Sequence, residues 1–284
     1  MTRQLQREEY TVGWVCALDV ELAATQEILD EEHKDLEQNE HDDNQYSLGR
    51  IGEYNIVIIY LPIGLIGSNP AATVATQIRS TFTSIRFILM VGIGGGVPSA
   101  EVDIRLGDVV VSQPHKRNGE VIQYDFGKTT PSGFQHIGFL NSPPAILLKA
   151  VTNLRANHIR AEGKFLEYNS ILHRLPKFTR EAAGPDVLFH ATYDHKGGST
   201  YQHYKLEKQV NRQPRGKDIS VIHYGIITSG NRVLKDAAER DGVSGELGGV
   251  LCFKMEAAGL MNSFPCLVMR GICDYADSHK NKIS

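Results

Sequence analysis

The sequence has no long apolar run. Its longest, Ile56 to Gly67 and Phe87 to Val97, are cut by Pro62 and by the glycines between Gly92 and Gly96. Neither reaches the roughly 20 residues of a spanning helix, so a membrane partner is not expected. It also lacks a block of one charge. With 30 Lys+Arg against 33 Asp+Glu the formal net charge is −3, which leaves no electrostatic footprint for nucleic acid. Cysteine is scarce: Cys16, Cys252, Cys266 and Cys273 lie in apolar, strand-like surroundings without metal-ligand spacing, and no Asn-x-Ser/Thr acceptor occurs. Among eleven histidines, His190 and His195 have no partner at a ligand spacing, so neither a metal nor a disulfide framework is expected. The N-terminal MTRQLQREEY carries no apolar segment of a secretory signal. A reducing, cytoplasmic setting fits these absences.

What is present is the composition of a globular protein, 284 residues with 41% hydrophobic and 22% charged. Strand-like and helix-like stretches alternate. Tyr10–Leu18 reads as a strand, Asp19–Glu31 as a helix with an acidic first turn, and Asn55–Leu61 as a strand. Asn69-Pro70 opens a helix to about Phe82, and Ile85–Val91 is a strand ended by a glycine-rich turn. Further strands are read at Asp108–Ser112, Gly119–Phe126, Ile219–Ile227 and Cys266–Cys273. Further helices are read from Pro143 to about Leu175, at Asn231–Arg240 and at Lys254–Ser263. Residues 1–9 are expected to form a flexible N-terminus, and 10–284 a single α/β domain with an irregular excursion at 176–217.

Two local motifs fail on inspection. The GKT at Gly127 to Thr129 has Ile122 where a phosphate-binding loop needs its first glycine. The run Gly92-Ile93-Gly94-Gly95-Gly96-Val97 lacks the last glycine of a dinucleotide fingerprint. It is either a tight packing turn or a floor of bare backbone for a ligand, which singles out Gly94 and Gly95. Cys273 reads as buried packing rather than a thiol nucleophile. The carboxylates say more. Asp19 and Glu21 follow the first strand, Glu256 opens a helix in CFKMEAAGLM, and Asp274 follows the strand CLVMRGIC. In an open α/β sheet, strand ends of this kind form the ligand-binding edge.

The strings VGWVCALDVELAA, VGIGGGV with LGDVVVS downstream, TSGN, KMEAAGL and VMRGICDYAD, in that order, resemble the purine nucleoside and uridine phosphorylase superfamily. Their catalytic pieces are most similar to the methylthioadenosine/S-adenosylhomocysteine nucleosidases. VIQYDFGK and LFHATYDH resemble the variant at the N-terminus of fungal immune-receptor-like proteins. The resemblance covers about Tyr10 to Asp277. It implies a nucleoside phosphorylase-like, three-layer α/β/α sandwich around a mixed, partly closed central sheet, with no cofactor. It implies that Glu21 helps position the attacking water, that Glu256 after Met255 binds ribose hydroxyls and assists the water, and that Asp274 is the acid at the purine. Val233 and Leu234 would hold adenine. A homo-oligomer is expected. The family continues past the DYAD segment with a final helix, where this sequence stops at Ser284, so either that helix is missing, as in a truncated product, or this is an excised part of a larger multidomain protein.

The chemistry asks for the same residue types. Cleaving a purine N-glycosidic bond develops an oxocarbenium-like ribosyl cation, so the base must be protonated at N7 and the cation shielded by negative charge. Apolar neighbours such as Cys273 and Ile272 would favour a proton on Asp274. Phosphorylases of this family hold phosphate with two arginines and a hydroxyl, where this sequence has Glu21, Met90 and Ile93. Hydrolysis is therefore expected, with phosphorolysis or a non-catalytic nucleoside-sensing module as alternatives. Lys128, Arg232, Arg174, Lys177, Arg180, His195, Lys196, Arg212 and Arg215 offer positive charge for a 5′-phosphorylated substrate such as ATP, or form a merely solvated loop.

Overall fold

Tyr10 packs edge-on against Phe82 at 5.7 Å, and Phe82 against Tyr46 at 5.0 Å. These rings close one end of a core whose strands are almost wholly apolar, as parallel strands covered on both faces must be. The computed structural model describes residues 2–115, 118–160, 175–195, 205–215 and 220–279. In chain order the elements are β1 (Val12–Cys16), α1 (Asp19–Glu27), β2 (Glu31–Glu32), β3 (Tyr46–Ile51), β4 (Tyr54–Tyr60) and α2 (Ser68–Thr81). Then come β5 (Phe87–Gly96), β6 (Val109–Ser112), β7 (Val121–Gln123), β8 (Gly127–Thr130), β9 (Gly133–His136) and α3 (Ala145–Ile159). The chain continues with α4 (Arg180–Ala183), β10 (Ile222–Ser229), α5 (Ala237–Glu246), β11 (Val250–Lys254), α6 (Ala257–Ser263) and β12 (Cys266–Asp274).

The fold is mixed α/β, as expected. A ten-stranded sheet runs in the order β11-β10-β6-β12-β5-β1-β4-β3-β2, with β7 beside β10. The β1, β4 and β5 pairings are parallel, as are those of β6, β10 and β11, whereas β3 is antiparallel to β4. Strand β11 also pairs antiparallel with β5, Cys252 opposite Gly96 and Phe253 opposite Gly95, so the sheet is partly closed.

Contacts within the chain group into two compact units. The first comprises 1–92, 140–178 and 256–269, and the second 93–139, 179–255 and 270–284. In the first, helix α6 lies so close to the start of α2 that a Cβ on Gly259 would overlap the Ser68 carbonyl. Its N-terminal residues carry a 3-10 turn at Arg7–Glu9, and Leu5 is buried. In the second, Val97, Tyr124, Ile226, Leu234, Leu247, Val250, Phe253 and Ala276 form one apolar cluster.

Three local readings need correction. The glycine run is not a turn: β5 continues through Gly96, and the glycines serve close approach. A Cβ on Gly94 would lie 2.6 Å from Cys252 Sγ, and one on Gly95 2.8 Å from both Ala276 Cβ and Asp274 Oδ1. The helix read from Asn231 starts at Ala237, because the Asp236 carboxylate caps the Ala238 and Glu239 amides at 2.8 and 3.0 Å. The third is an omission: residues 127–136, to which no element was assigned, form the β8–β9 hairpin, a separate two-stranded sheet.

Candidate active site

In the first unit, β1 ends at Cys16 and α1 begins three residues later. Glu21 sits at the third helical position with its side chain turned back, and its Oε2 accepts the amides of Ala17 at 2.6 Å and Leu18 at 3.2 Å. This satisfies donors that the chain entering a helix would otherwise leave open. Glu21 is buried, at 7% exposure. The Thr25 hydroxyl donates to the Glu21 carbonyl at 2.8 Å and lies 3.4 Å from Cys16 Sγ, which ties the helix to the strand end. Asp19 is exposed and accepts the neighbouring Val20 amide at 2.9 Å. Glu256 is half-buried at the start of α6, where its side chain makes no capping bond. The first unit also holds a cavity of about 530 Å³, lined by His33, Asp42, Tyr46 and Tyr60 among others, and none of the site residues named from the sequence lines it.

In the second unit, Asp274 ends β12 and is 4% exposed. Its Oδ1 accepts the Ala276 amide at 2.8 Å, and its Oδ2 lies 3.4 Å from the Cys273 thiol. The bare backbone of Gly95 gives this carboxylate room. In the same unit, the Ser229 hydroxyl donates to the Met255 carbonyl at 3.2 Å. The loop after β10 is pinned from the segment after β7. The Tyr124 hydroxyl donates to the Arg232 carbonyl at 2.9 Å, the Asn231 amide donates to Asp125 Oδ2 at 2.6 Å, and the Tyr124 ring fills the space a Gly230 side chain would need. In that loop Leu234 is buried in the apolar cluster, whereas Val233 is 47% exposed. The second unit thus gathers Gly94, Gly95, Met255, Leu234 and Asp274, while Glu21, Asp19 and Glu256 belong to the first.

Two members of the expected basic supply are spent inside the protein. Arg212 pairs with Asp186 at 2.9 Å and Asp103 at 3.4 Å, and Arg215 pairs with Asp108 at 2.6 Å. Burial alone would raise the Asp108 carboxyl, yet hydrogen bonds from His223, Arg215 and the Val221 and Arg105 amides outweigh it and hold the group at about 2. Arg212 and Arg215 therefore do not stand ready for a substrate phosphate, which corrects that expectation. Arg232 pairs with Glu239 at 2.8 Å on the surface, and Lys128 is exposed on β8. Arg174, Lys196 and the Arg180 side chain lie outside the described residues.

One residue of this region escaped the sequence reading. Arg270 is 2% exposed in β12, two residues from Ile272 and four from Asp274, and therefore on the same strand face. Its Nε and Nη2 have no hydrogen-bond partner among the described residues, and its Cβ lies 3.6 Å from where a Gly94 side chain would start. An arginine inside CLVMRGICD was the visible signal, since an apolar strand seldom carries one.

A partly closed mixed sheet with carboxylates at strand and helix ends is the architecture of nucleoside phosphorylases. The phosphorylase superfamily model matches residues 11–283, and the chain belongs to that superfamily. A nucleotide-binding leucine-rich repeat (NLR)-like protein of Hyaloscypha variabilis is 46% identical over 288 residues, which cover 98% of this chain and 28% of that protein. The chain thus spans under a third of this curated relative. Two solved structures share the fold. One is 5′-methylthioadenosine/S-adenosylhomocysteine nucleosidase from Neisseria meningitidis with methylthio-immucillin-A, at TM-score 0.59 and 16% identity over 95% of this chain and 88% of that one. The other is futalosine hydrolase of Helicobacter pylori, at TM-score 0.60 and 14% identity over 98% and 90%. No helix among the described residues is long and apolar enough to cross a membrane.

Proposed function

We propose that this domain hydrolyses the N-glycosidic bond of an adenine nucleoside or nucleotide, releasing adenine and the ribose product. The observation that carries the reading is Asp274, a buried strand-end carboxyl set against the bare backbone of Gly95. The C1′–N9 bond breaks with its electron pair passing to the purine, Asp274 gives a proton to N7, and water adds to C1′. Glu21 helps position that water, while Glu256 binds the ribose hydroxyls and assists the water by taking up its proton. Met255, Val233 and Leu234 hold the base, and Gly94 and Gly95 form the floor beneath it. Lys128 and Arg232 face the 5′ end, and Asp19 is a further substrate-binding residue. The similarity to nucleosidases and the Glu21, Met90 and Ile93 set support water over phosphate.

A preference for ATP is the finer part of the proposal. It now leans on Lys128 and Arg232, because an exposed ion pair is worth only about 0–1 kcal/mol and yields readily to a phosphate. The domain acts at 10–284 as one functional module of a longer cytoplasmic protein and assembles as a homo-oligomer. The buried Arg270 favours one second reading, phosphorolysis, since unpartnered guanidinium donors suit an anion as well as a water. The test is adenine release from adenosine, methylthioadenosine, AMP and ATP in phosphate-free buffer, with the sugar product analysed. Free ribose or ribose phosphate formed at an unchanged rate supports hydrolysis. Ribose 1-phosphate that depends on added phosphate supports the second reading. Ligand-induced thermal stabilisation without base release leaves only a sensing module.

A further inference from the structure

We propose that Tyr275, clamped by Arg212 and Asp186, is a positioning residue that fixes the turn carrying Asp274. This rests on the reading of Asp274 as the acid at the purine. The turn needs such a device. Ala276 adopts φ 49°, a left-handed conformation rare outside glycine, and its amide donates to Asp274 Oδ1 at 2.8 Å. A conformation of that kind persists only where the surroundings over-determine it.

Tyr275 is held at both ends. Its hydroxyl donates to Asp186 Oδ1 and accepts from Arg212 Nη2 at 2.9 Å, while its carbonyl accepts from the buried Arg240 Nη1 at 2.7 Å. Arg212 also bonds Asp186 at 2.9 Å and the Ile104 carbonyl at 3.1 Å, and its guanidinium lies 5.3 Å from the centre of the Tyr275 ring. Tyr275 is 3% exposed, and the side chains of Arg212 and Asp186 are 13% and 12% exposed. Burial and then the Asp186 charge push the phenol upward, so it remains a donor at any working pH. A second attachment follows two residues beyond the turn, where the His195 amide donates to Ser278 Oγ at 2.9 Å and His279 stacks on Phe189 at 4.2 Å. Asp186, Phe189, His195 and Arg212 all belong to the irregular excursion. Two of its charges, Arg212 and Asp186, are turned inward onto Tyr275.

Tyr275→Phe in the whole chain is the test, because it removes one hydroxyl and leaves the ring and the Arg212–Asp186 pair. Turnover of adenine release should fall by ~10-fold or more with KM within about threefold, and the alkaline limb of the pH profile, which follows the general acid, should move. Independently of activity, hydrogen exchange at the Ala276 amide should quicken by about 10-fold, with the rest of the second unit unchanged. Arg212→Lys, which keeps the charge and loses the fork, should give a partial version of both changes, and it serves as the probe should Tyr275→Phe not fold. An unaltered turnover, pH profile and Ala276 exchange overturns the proposal. So does a uniform loss of protection across the unit, which is what a merely structural residue gives. If the wild-type chain releases no adenine, the nucleosidase reading falls, and Ala276 exchange alone still decides whether Tyr275 fixes the turn.

Discussion

Glu21 and Asp274 are both buried carboxylates that accept backbone amides, yet they are held by different means. Glu21 takes its donors from residues three and four positions away, at the entry to its own helix. Asp274 accepts a local amide too, but the turn presenting it is fastened through Tyr275 to residues 35, 63 and 89 positions distant. A helix entry can orient a carboxylate by chain geometry alone, whereas the acid at a strand end needs scaffolding from across its unit.

The comparison breaks most visibly at the acid itself. Asp274→Asn keeps an acceptor for the Ala276 amide but has no proton to give, so turnover should fall at least ~100-fold, about 2.7 kcal/mol of transition-state stabilisation. Glu21→Gln also keeps an acceptor for the Ala17 and Leu18 amides. It loses only the charge that orients water, and a drop of ~10-fold is expected. Adenine release under saturating substrate, with folding checked by circular dichroism, measures both. Equal losses would mean that the two carboxylates share one role, and near-normal turnover in folded Asp274→Asn would remove that residue from the chemistry.

The same contrast explains what was legible in the sequence. The strand and helix around Glu21 show as an apolar run followed by an acidic first turn, and α2 begins at Ser68, one residue before the expected Asn69. The strand before Asp274 is an apolar string that ends in a charge. Each rests on neighbours in the chain. The failures at the glycines and the arginines depend on distant partners. The glycines of β5 look like a turn until Cys252, Phe253 and Ala276 are seen pressed against them. Arg212 and Arg215 look like surplus charge until Asp103, Asp108 and Asp186 are found beside them. Arg270 was passed over because a strand pattern says nothing about a missing counter-charge.

A smaller effect sharpens the non-local side. His279, stacked on Phe189 at 4.2 Å, faces His195, Asp194 and, at 3.8 Å, Asp277. Burial first and His195 second push its imidazole from 6.5 down to about 4, with Asp194 opposing. The folded state therefore holds it neutral where the unfolded chain already binds a proton. That contribution to stability is complete above pH 6.5 and is lost as the pH falls from 6.5 towards about 4. Tm measured across this window at fixed ionic strength should fall more steeply for the wild-type chain than for His279→Phe, which keeps a ring on Phe189. Parallel curves would show that His279 does not titrate in this way.

The smallest expected effect separates buried from exposed arginine within one unit. The side chain of Arg232 is 65% exposed and its partner Glu239 is 40% exposed, so Arg232→Ala should change stability by less than about 1 kcal/mol. Its backbone carbonyl still accepts the Tyr124 hydroxyl, so the loop that carries Val233 and Leu234 stays in place. What the substitution removes is charge at the proposed 5′ end. The kcat/KM for ATP should then drop by a few fold and lose part of its salt dependence, while that for adenosine stays constant, because only an anionic substrate feels the guanidinium. A kinetic comparison of the two substrates at low and high salt reads this directly. If adenosine suffers as much as ATP, Arg232 acts through the shape of the loop, and the preference for a 5′-phosphorylated substrate loses one of the two cations on which it leans.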